Sequence, residues 1–145
     1  MLINTRDFGK LDVDENEILT FKMPMLGYDE YEDYIVLFDE QVGDSFAWLQ
    51  SIKNSALCFM LANPKMLKKD YAPEISNDTL EKLSGSFDEI WLVAVITDDI
   101  KDTKVNMKSP ILINNSKHFA VQTVLESNYP IRYALFDDKE TDWLC

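Results

Sequence analysis

Short apolar runs separated by polar or turn-forming residues recur along the whole chain. The clearest pair lies within residues 45–64, where Ser-Phe-Ala-Trp-Leu-Gln-Ser and Ala-Leu-Cys-Phe-Met-Leu-Ala flank an Ile-Lys-Asn-Ser break. Runs of this length that are apolar on both faces usually lie in a core, and their aromatic content favours strands over a buried helix. The pattern predicts two antiparallel strands joined by a short loop, which would form the central hairpin of the fold.

Similar runs follow one another at intervals of about ten residues through the rest of the chain. They predict further strands over residues 1–8, 11–13, 18–21, 34–38, 89–97, 105–114, 119–125 and 131–136. The proline within 105–114 favours an edge position or a strand that begins at Pro110. Roughly nine short strands with regular turns are typical of an all-β sandwich or barrel.

Two short helices are predicted between the central hairpin and the strand at 89–97. The first follows Asn63-Pro64, because asparagine caps a helix and proline fits its first turn. The second follows Asp78, which with Glu81 three residues later resembles a capping box. No linker or repeat divides the chain, so we expect one domain over residues 1–136 and an acidic C-terminal tail over residues 137–145.

The net charge of the chain limits the classes of molecule that it can be expected to bind. The chain has 14 Lys and Arg against 26 Asp and Glu, a net charge of −12. Nucleic-acid binding depends on neutralising phosphates with basic side chains, so direct contact with nucleic acid is not expected. A basic partner suits this charge, although solubility alone also explains it. The apolar run near 90–96 is too short for a membrane span, and the N-terminal residues lack a signal-peptide layout, so we expect a cytoplasmic protein that does not bind membranes.

Residues that could carry chemistry are few. The single histidine, His118, follows a turn and has no neighbouring nucleophile, so we expect it to be exposed at a strand start. Cys58 lies in an apolar run and reads as a buried thiol, while Cys145 is the last residue. Glu89 is the one carboxylate that enters a strongly apolar strand, and apolar surroundings are what catalytic carboxylates need. No metal site, cofactor motif or catalytic motif is predicted.

Two acidic clusters and several aromatic residues are the candidates for a binding surface. The acidic clusters are Asp29, Glu30, Glu32 and Asp33, and, after the strongest strand, Asp98, Asp99 and Asp102. The aromatic candidates are Tyr28, Tyr31, Tyr34 and, in the tail, Trp143. Aromatic and acidic residues on one surface suit a protein interface, since tyrosine and tryptophan supply much of the buried area there. Half-buried tyrosines that cover the edge of a core would give the same pattern.

Several segments together resemble the FliW family of flagellar assembly factors. They are residues 21–28, 46–51, 57–64 with Tyr71, 105–114 and 119–125, and their order and spacing cover nearly the whole chain. The resemblance implies a mainly β, antiparallel β-barrel-like domain with two short helices and no catalytic role. Most of the matching residues are expected to be structural: Gly27, Trp48, Leu49, Gln50, Asn63, Pro64, Asn106, Pro110, Asn114 and Gln122. Trp48 and Phe59 are expected in the core.

The resemblance also implies partners. Members of the family bind the translational repressor CsrA, which relieves repression of flagellin synthesis, and they bind cytoplasmic flagellin in a partner switch. CsrA binds RNA and so must carry basic surface, and we expect one of the two acidic clusters to meet it. Unassembled flagellin has amphipathic helical ends, which predicts an apolar groove; Tyr28, Met107 and Trp143 are candidates for it.

Two alternatives stay open at the sequence level. One is an acidic chaperone or binding module for another basic or secreted partner. The other is a small hydrolase that uses Glu89 or another carboxylate. A polar pocket with two converging carboxylates would favour the hydrolase, whereas a filled barrel interior would count against it.

Overall fold

A computed structural model of the protein describes residues 1–95 and 100–135. Within these residues the chain forms eleven strands, two α-helices and two short 3₁₀ helices (Glu15–Glu17 and Ile100–Asp102). The strands are β1 (Leu2–Asn4), β2 (Lys10–Asp12), β3 (Leu19–Met23), β4 (Asp33–Leu37), β5 (Phe46–Ser51), β6 (Cys58–Ala62), β7 (Glu89–Val95), β8 (Lys104–Val105), β9 (Ile111–Asn114), β10 (Phe119–Gln122) and β11 (Tyr133–Ala134). The helices are α1 (Pro64–Leu67) and α2 (Asn77–Lys82).

Seven of the strands close into a barrel, in the order β3-β4-β5-β6-β7-β9-β10 and back to β3. The central hairpin is confirmed as β5 paired antiparallel with β6. The predicted antiparallel β-barrel-like fold is confirmed, with one parallel pair in the ring, because β10 runs parallel to β3. A closed ring with an odd number of strands cannot alternate direction throughout, so one parallel pair is unavoidable.

Strand direction defines two ends of this barrel. One end of the barrel is where β4 begins, at Asp33, and we call it the Asp33 end. The strands that finish at this end are β3, β5, β7 and β10. At the other, β7 begins with Glu89 and β4, β6 and β9 finish; we call it the Glu89 end. Loops from distant parts of the sequence therefore meet at each end.

One apolar cluster draws residues from every strand of the ring. It contains Leu19, Phe21, Met25, Tyr34, Ala47, Leu49, Leu61, Trp91, Ile111, Ile113 and Ala120. Because successive side chains of a strand point to opposite faces, a set taken from all seven strands marks their shared inner face. The barrel interior is therefore filled by side chains, which counts against the hydrolase alternative.

Trp48 lies outside this interior, contrary to the prediction that it is a core residue. Its neighbours Ala47 and Leu49 belong to the inner cluster, so Trp48 points outward. There it is half-buried, and its ring packs edge-on against Phe8 at a centroid distance of 5.4 Å. The apolar outer face of β5 is explained by this cover over Trp48 and by the packing of Phe46 against the cluster that contains Tyr71.

The helices cover outer faces of the barrel. A cluster that includes Tyr71 and Met107 packs on β6, β7 and β8 beside α1, and Leu83 after α2 packs on β9 and β10. Asn63 caps α1 as predicted, since its Oδ1 accepts from the Lys65 N–H at 3.0 Å. The cap of α2 is Ser76 and not Asp78, which lies inside the first turn of the helix. Among the described residues no helix is long and apolar enough to cross a membrane.

The Tyr34 hydroxyl is buried in the barrel without a hydrogen-bond partner in the described part of the chain. Its ring packs edge-on against Phe21 at 5.0 Å. Burial raises the pKa of Tyr34 from 10.0 to about 12, because the phenolate would lose its water. An unpaired buried hydroxyl costs stability that a phenyl ring of the same shape would not.

We therefore expect Tyr34→Phe to raise the free energy of unfolding by about 1 kcal/mol at neutral pH. The folded protein holds the Tyr34 proton to higher pH than the unfolded chain does, so wild-type stability falls as pH rises from 10.0 towards about 12. Urea unfolding across this range should show a steeper loss for the wild type than for the variant. This account would be contradicted if the free energy of unfolding of Tyr34→Phe were no higher than that of the wild type and changed with pH in the same way.

Candidate functional site

The first acidic cluster forms an exposed surface at the Asp33 end of the barrel. It lies in the connection from β3 to β4, where Asp29, Glu30 and Glu32 are exposed and Asp33 is half-buried at the start of β4. None of these four carboxylates takes part in an ion pair or a side-chain hydrogen bond within the described residues. We call Tyr28, Asp29, Glu30, Glu32 and Asp33 the acidic face.

Backbone hydrogen bonds fix the acidic face to the barrel. The Tyr28 N–H donates to the Met25 carbonyl at 2.9 Å, and the Phe21 N–H of β3 donates to the Glu32 carbonyl at 2.8 Å. Between them Gly27 has a φ of +86°, a conformation that residues with a side chain rarely adopt. The chain therefore turns sharply at Gly27 and holds the carboxylates towards solvent.

Tyrosines anchor the same surface. The Tyr28 side chain is 39% exposed and packs edge-on against Phe59 at 5.2 Å, so one edge of its ring stays available to a partner. The Tyr31 hydroxyl accepts from the Asn54 side chain at 3.2 Å. Phe59 was expected in the core. It is half-buried and packs against the inner cluster.

The second acidic cluster is only partly described. Asp98 and Asp99 lie outside the described residues, as does the tail that carries Trp143. Asp102 is exposed, two residues before β8, where Lys104 pairs with Val95 at the end of β7. Because β7 finishes at the Asp33 end, Asp102 lies towards the same end of the barrel as the acidic face.

The prediction that Met107 contacts a partner is wrong. Its side chain is 0% exposed, and its backbone carbonyl accepts the Tyr71 hydroxyl at 2.7 Å. A methionine in an apolar cluster of this kind fills space between the barrel and its cover. Of the two candidates for the flagellin groove that lie within the described residues, Tyr28 is at the surface.

The other residues that match the family are found in hydrogen-bond networks and in the core. Asn106 Oδ1 accepts from the Lys108 and Ser109 N–H groups at 3.0 and 3.1 Å. Asn114 Nδ2 donates to the Leu83 carbonyl at 2.7 Å. Leu49, Pro64 and Pro110 are buried, with Pro64 opening α1 and Pro110 directly preceding β9.

Gln50 and Gln122 form the most connected of these networks. Gln50 is 0% exposed, and its Oε1 accepts from the Arg6 N–H at 3.0 Å. Its Nε2 faces four carbonyls, at the end of β5 and in the β5–β6 connection, at 3.1 to 3.5 Å. Gln122 Oε1 accepts from the Leu26 N–H at 2.8 Å, and Nε2 donates to the Ser109 carbonyl at 3.1 Å. These side chains satisfy backbone groups that are hidden from water.

A cavity opens at the Glu89 end of the barrel, with a volume of about 290 Å³. Its lining comes from four separate parts of the chain: Glu17, Leu19, Val36, Phe38, Glu89, Ile113, Asn115 and His118. His118 is exposed as predicted, in the turn before β10, with a φ of +58°. Sequence reasoning identified Glu89 and His118 separately but gave no sign that they line one cavity.

Groups suited to nucleophilic or metal chemistry are not assembled in the described residues. Burial raises the pKa of the Cys58 thiol to about 11, so it stays protonated and a poor nucleophile at neutral pH. No group of three His, Cys, Asp or Glu side chains in the part of the chain that the structure describes could hold a metal ion. Both Glu89 oxygens accept hydrogen bonds, from Trp91 Nε1 and Asn115 Nδ2, so each is already engaged by a neighbouring side chain.

Comparison with models of protein families tests the family resemblance that the sequence suggested. The family model described as FliW protein matches residues 2–135. The chain belongs to the FliW family. It is 31% identical over 145 residues to the flagellar assembly factor FliW of Caldicellulosiruptor bescii, covering 97% of this chain and 94% of that one.

A further relative and one solved structure support the same family. The flagellar assembly factor FliW of Syntrophus aciditrophicus is 34% identical over 146 residues, covering 97% of this chain and 90% of that one. A crystal structure of the flagellar assembly factor FliW superposes with a TM-score of 0.87 at 28% identity, covering 96% of this chain and 99% of that chain. The mainly β fold with two short helices and a closed barrel is thus confirmed.

Proposed function

We propose that this chain is a cytoplasmic flagellar assembly factor that binds CsrA through its acidic face and relieves repression of flagellin synthesis. The observation that carries the proposal is a surface of four carboxylates that have no cationic partner among the described residues, on a member of the FliW family. They are Asp29, Glu30, Glu32 and Asp33. Such a surface attracts the basic side chains that an RNA-binding protein must have. The net charge of −12 speeds the encounter.

Flagellin is the second partner in this proposal. A groove of about 660 Å³ runs beside the acidic face, between the β3–β4 connection, α2 and the end of β10. Leu26 and Val124 on its sides are 53% and 54% exposed, which suits the apolar side of an amphipathic helix. Asp29 belongs to the groove and to the acidic face. Flagellin and CsrA would therefore compete for the surface around Asp29.

The competition follows from linkage. If the two partners share Asp29 and its surroundings, each lowers the affinity of the chain for the other by the same factor. Abundant cytoplasmic flagellin would occupy the chain and leave CsrA free to repress. Export of flagellin would release the chain, which then binds CsrA.

Titration calorimetry tests this function directly. CsrA is titrated into the chain at low and at moderate salt, with and without an excess of flagellin. The proposal predicts binding that weakens with salt, because exposed charges are screened, and that is lost when flagellin is present. Binding of flagellin without any binding of CsrA would withdraw the regulatory half, and binding of neither would contradict the proposal as a whole.

A further inference from the structure

The cavity at the Glu89 end is the open mouth of the barrel interior. Its floor is apolar, since Leu19 is 4% exposed and Ile113 is 0% exposed, and both belong to the inner cluster. Val36 and Phe38 continue the apolar wall outward, and Phe38 is 51% exposed at the rim. A volume of about 290 Å³ is at the lower limit for small-molecule pockets but is ample for one long side chain.

Two carboxylates stand at the rim of this apolar mouth, and no lysine or arginine of the described residues lines it. The Glu89 oxygens accept hydrogen bonds from Trp91 Nε1 at 3.1 Å and from Asn115 Nδ2 at 2.7 Å, and both donors are uncharged. The Glu17 carboxylate makes no hydrogen bond or ion pair to any described residue. His118 is the one lining residue, among those described, that can carry positive charge.

Acidic character extends beyond the mouth on one side. A neighbouring hollow of about 320 Å³ shares Phe38 and Glu89 with it and adds Asp44 and Asp88. Phe38 therefore lines both the cavity that holds Glu17 and the hollow that holds Asp44 and Asp88. An aromatic face next to carboxylates is an arrangement that attracts a planar cation.

We propose that the mouth of the barrel is a socket for an arginine side chain of a protein partner. The three methylenes of arginine would pack against Leu19, Val36 and Ile113. The guanidinium would reach Glu17 and Glu89 and stack near the Phe38 ring. Arginine fits better than lysine because its planar group offers five donors to two separate carboxylates and to an aromatic face.

This socket is separate from the acidic face. It lies at the Glu89 end, opposite the Asp33 end where the acidic face and Asp102 are found. The inference therefore goes beyond the proposed function and does not require CsrA to bind. It assigns the chain a second recognition site, specific for one side chain in a basic partner.

The test uses the ¹⁵N-labelled chain and the end-blocked peptide Gly-Gly-Arg-Gly-Gly at low salt. The indole N–H of Trp91 reports on the socket, because it donates to Glu89 at 3.1 Å. Its signal is assigned by elimination with Trp48→Phe and Trp143→Phe, since the chain has three tryptophans. We expect the arginine peptide to move this signal saturably, the lysine peptide to do so more weakly, and the citrulline peptide, which has the same shape without the charge, to leave it unchanged.

Matched variants make the test specific. Glu17→Gln with Glu89→Gln should weaken binding of the arginine peptide at least fivefold, and Glu17→Gln alone, at an exposed position in a 3₁₀ helix, should weaken it in the same direction. Glu81→Gln on the exposed side of α2 should change nothing. The inference is overturned by an unmoved Trp91 signal, by equal shifts with the arginine and citrulline peptides, or by equal affinity of Glu17→Gln and the wild type.

Discussion

Replacing Gln50 with leucine is expected to lower the free energy of unfolding by about 3 kcal/mol, although leucine is similar in size and apolar. The side chain is 0% exposed and links the N-terminal segment to the β5–β6 connection through hydrogen bonds at both of its polar atoms. Leucine would leave the Arg6 N–H without its acceptor and would remove the Nε2 donor from the carbonyls that it faces. Urea unfolding followed by tryptophan fluorescence measures the change.

The other two glutamines of the chain supply the controls. Gln122→Leu removes two backbone contacts of a side chain that is 6% exposed, and should cost about 2 kcal/mol. Gln41→Leu alters an exposed loop residue and should stay within about 0.5 kcal/mol of the wild type. A Gln50→Leu variant that loses no more stability than Gln41→Leu would show that the network at Gln50 does not hold the hairpin.

Reversing the charge of Asp29, Glu30 and Glu32 together to lysine should weaken CsrA binding about 100-fold at low salt. The reversal replaces attraction at three exposed positions with repulsion of a basic partner. The salt dependence of the remaining binding should also become smaller, because fewer favourable charge contacts are left to screen. Titration calorimetry at two salt concentrations measures both effects.

A second triple variant separates the effect of the acidic face on CsrA binding from the effect of net charge. Glu15, Glu40 and Asp44 are exposed acids at the Glu89 end of the barrel, opposite the acidic face, and reversing all three gives the same net charge as the first variant. We expect this control to bind CsrA within about threefold of the wild type, since distant exposed charges are largely screened. Equal losses in the two variants would mean that CsrA responds to net charge, and Asp102→Lys would then test the second cluster.

Features that depend on neighbouring residues were predictable from the sequence. The hairpin of β5 and β6, the cap at Asn63 and the exposed acidic run are each encoded within a few positions. The cap of α2 was misplaced because Ser76 and Asp78 are both good capping residues, and only the backbone conformation decides between them. The outward position of Trp48 was missed because a strand covered on both faces shows no alternation.

Features that depend on closure of the barrel were not predictable. The parallel pairing of β10 with β3 arises from the odd number of strands in the ring, which no local pattern reveals. Met107 was a candidate for the flagellin groove, whereas its side chain is buried between the barrel and its cover, and its carbonyl accepts the Tyr71 hydroxyl. The cavity at the Glu89 end combines residues up to about a hundred positions apart, such as Glu17 and His118.

Release of RNA from CsrA is the measurement that tests the central claim most directly. A fluorescently labelled leader RNA from a flagellin message is bound to CsrA, and its anisotropy is followed as the chain is added. We predict that the anisotropy falls to that of free RNA, and that flagellin added afterwards restores the bound value. RNA that stays on CsrA at saturating chain concentrations would contradict the proposed relief of repression, and a release that flagellin does not reverse would contradict the partner switch.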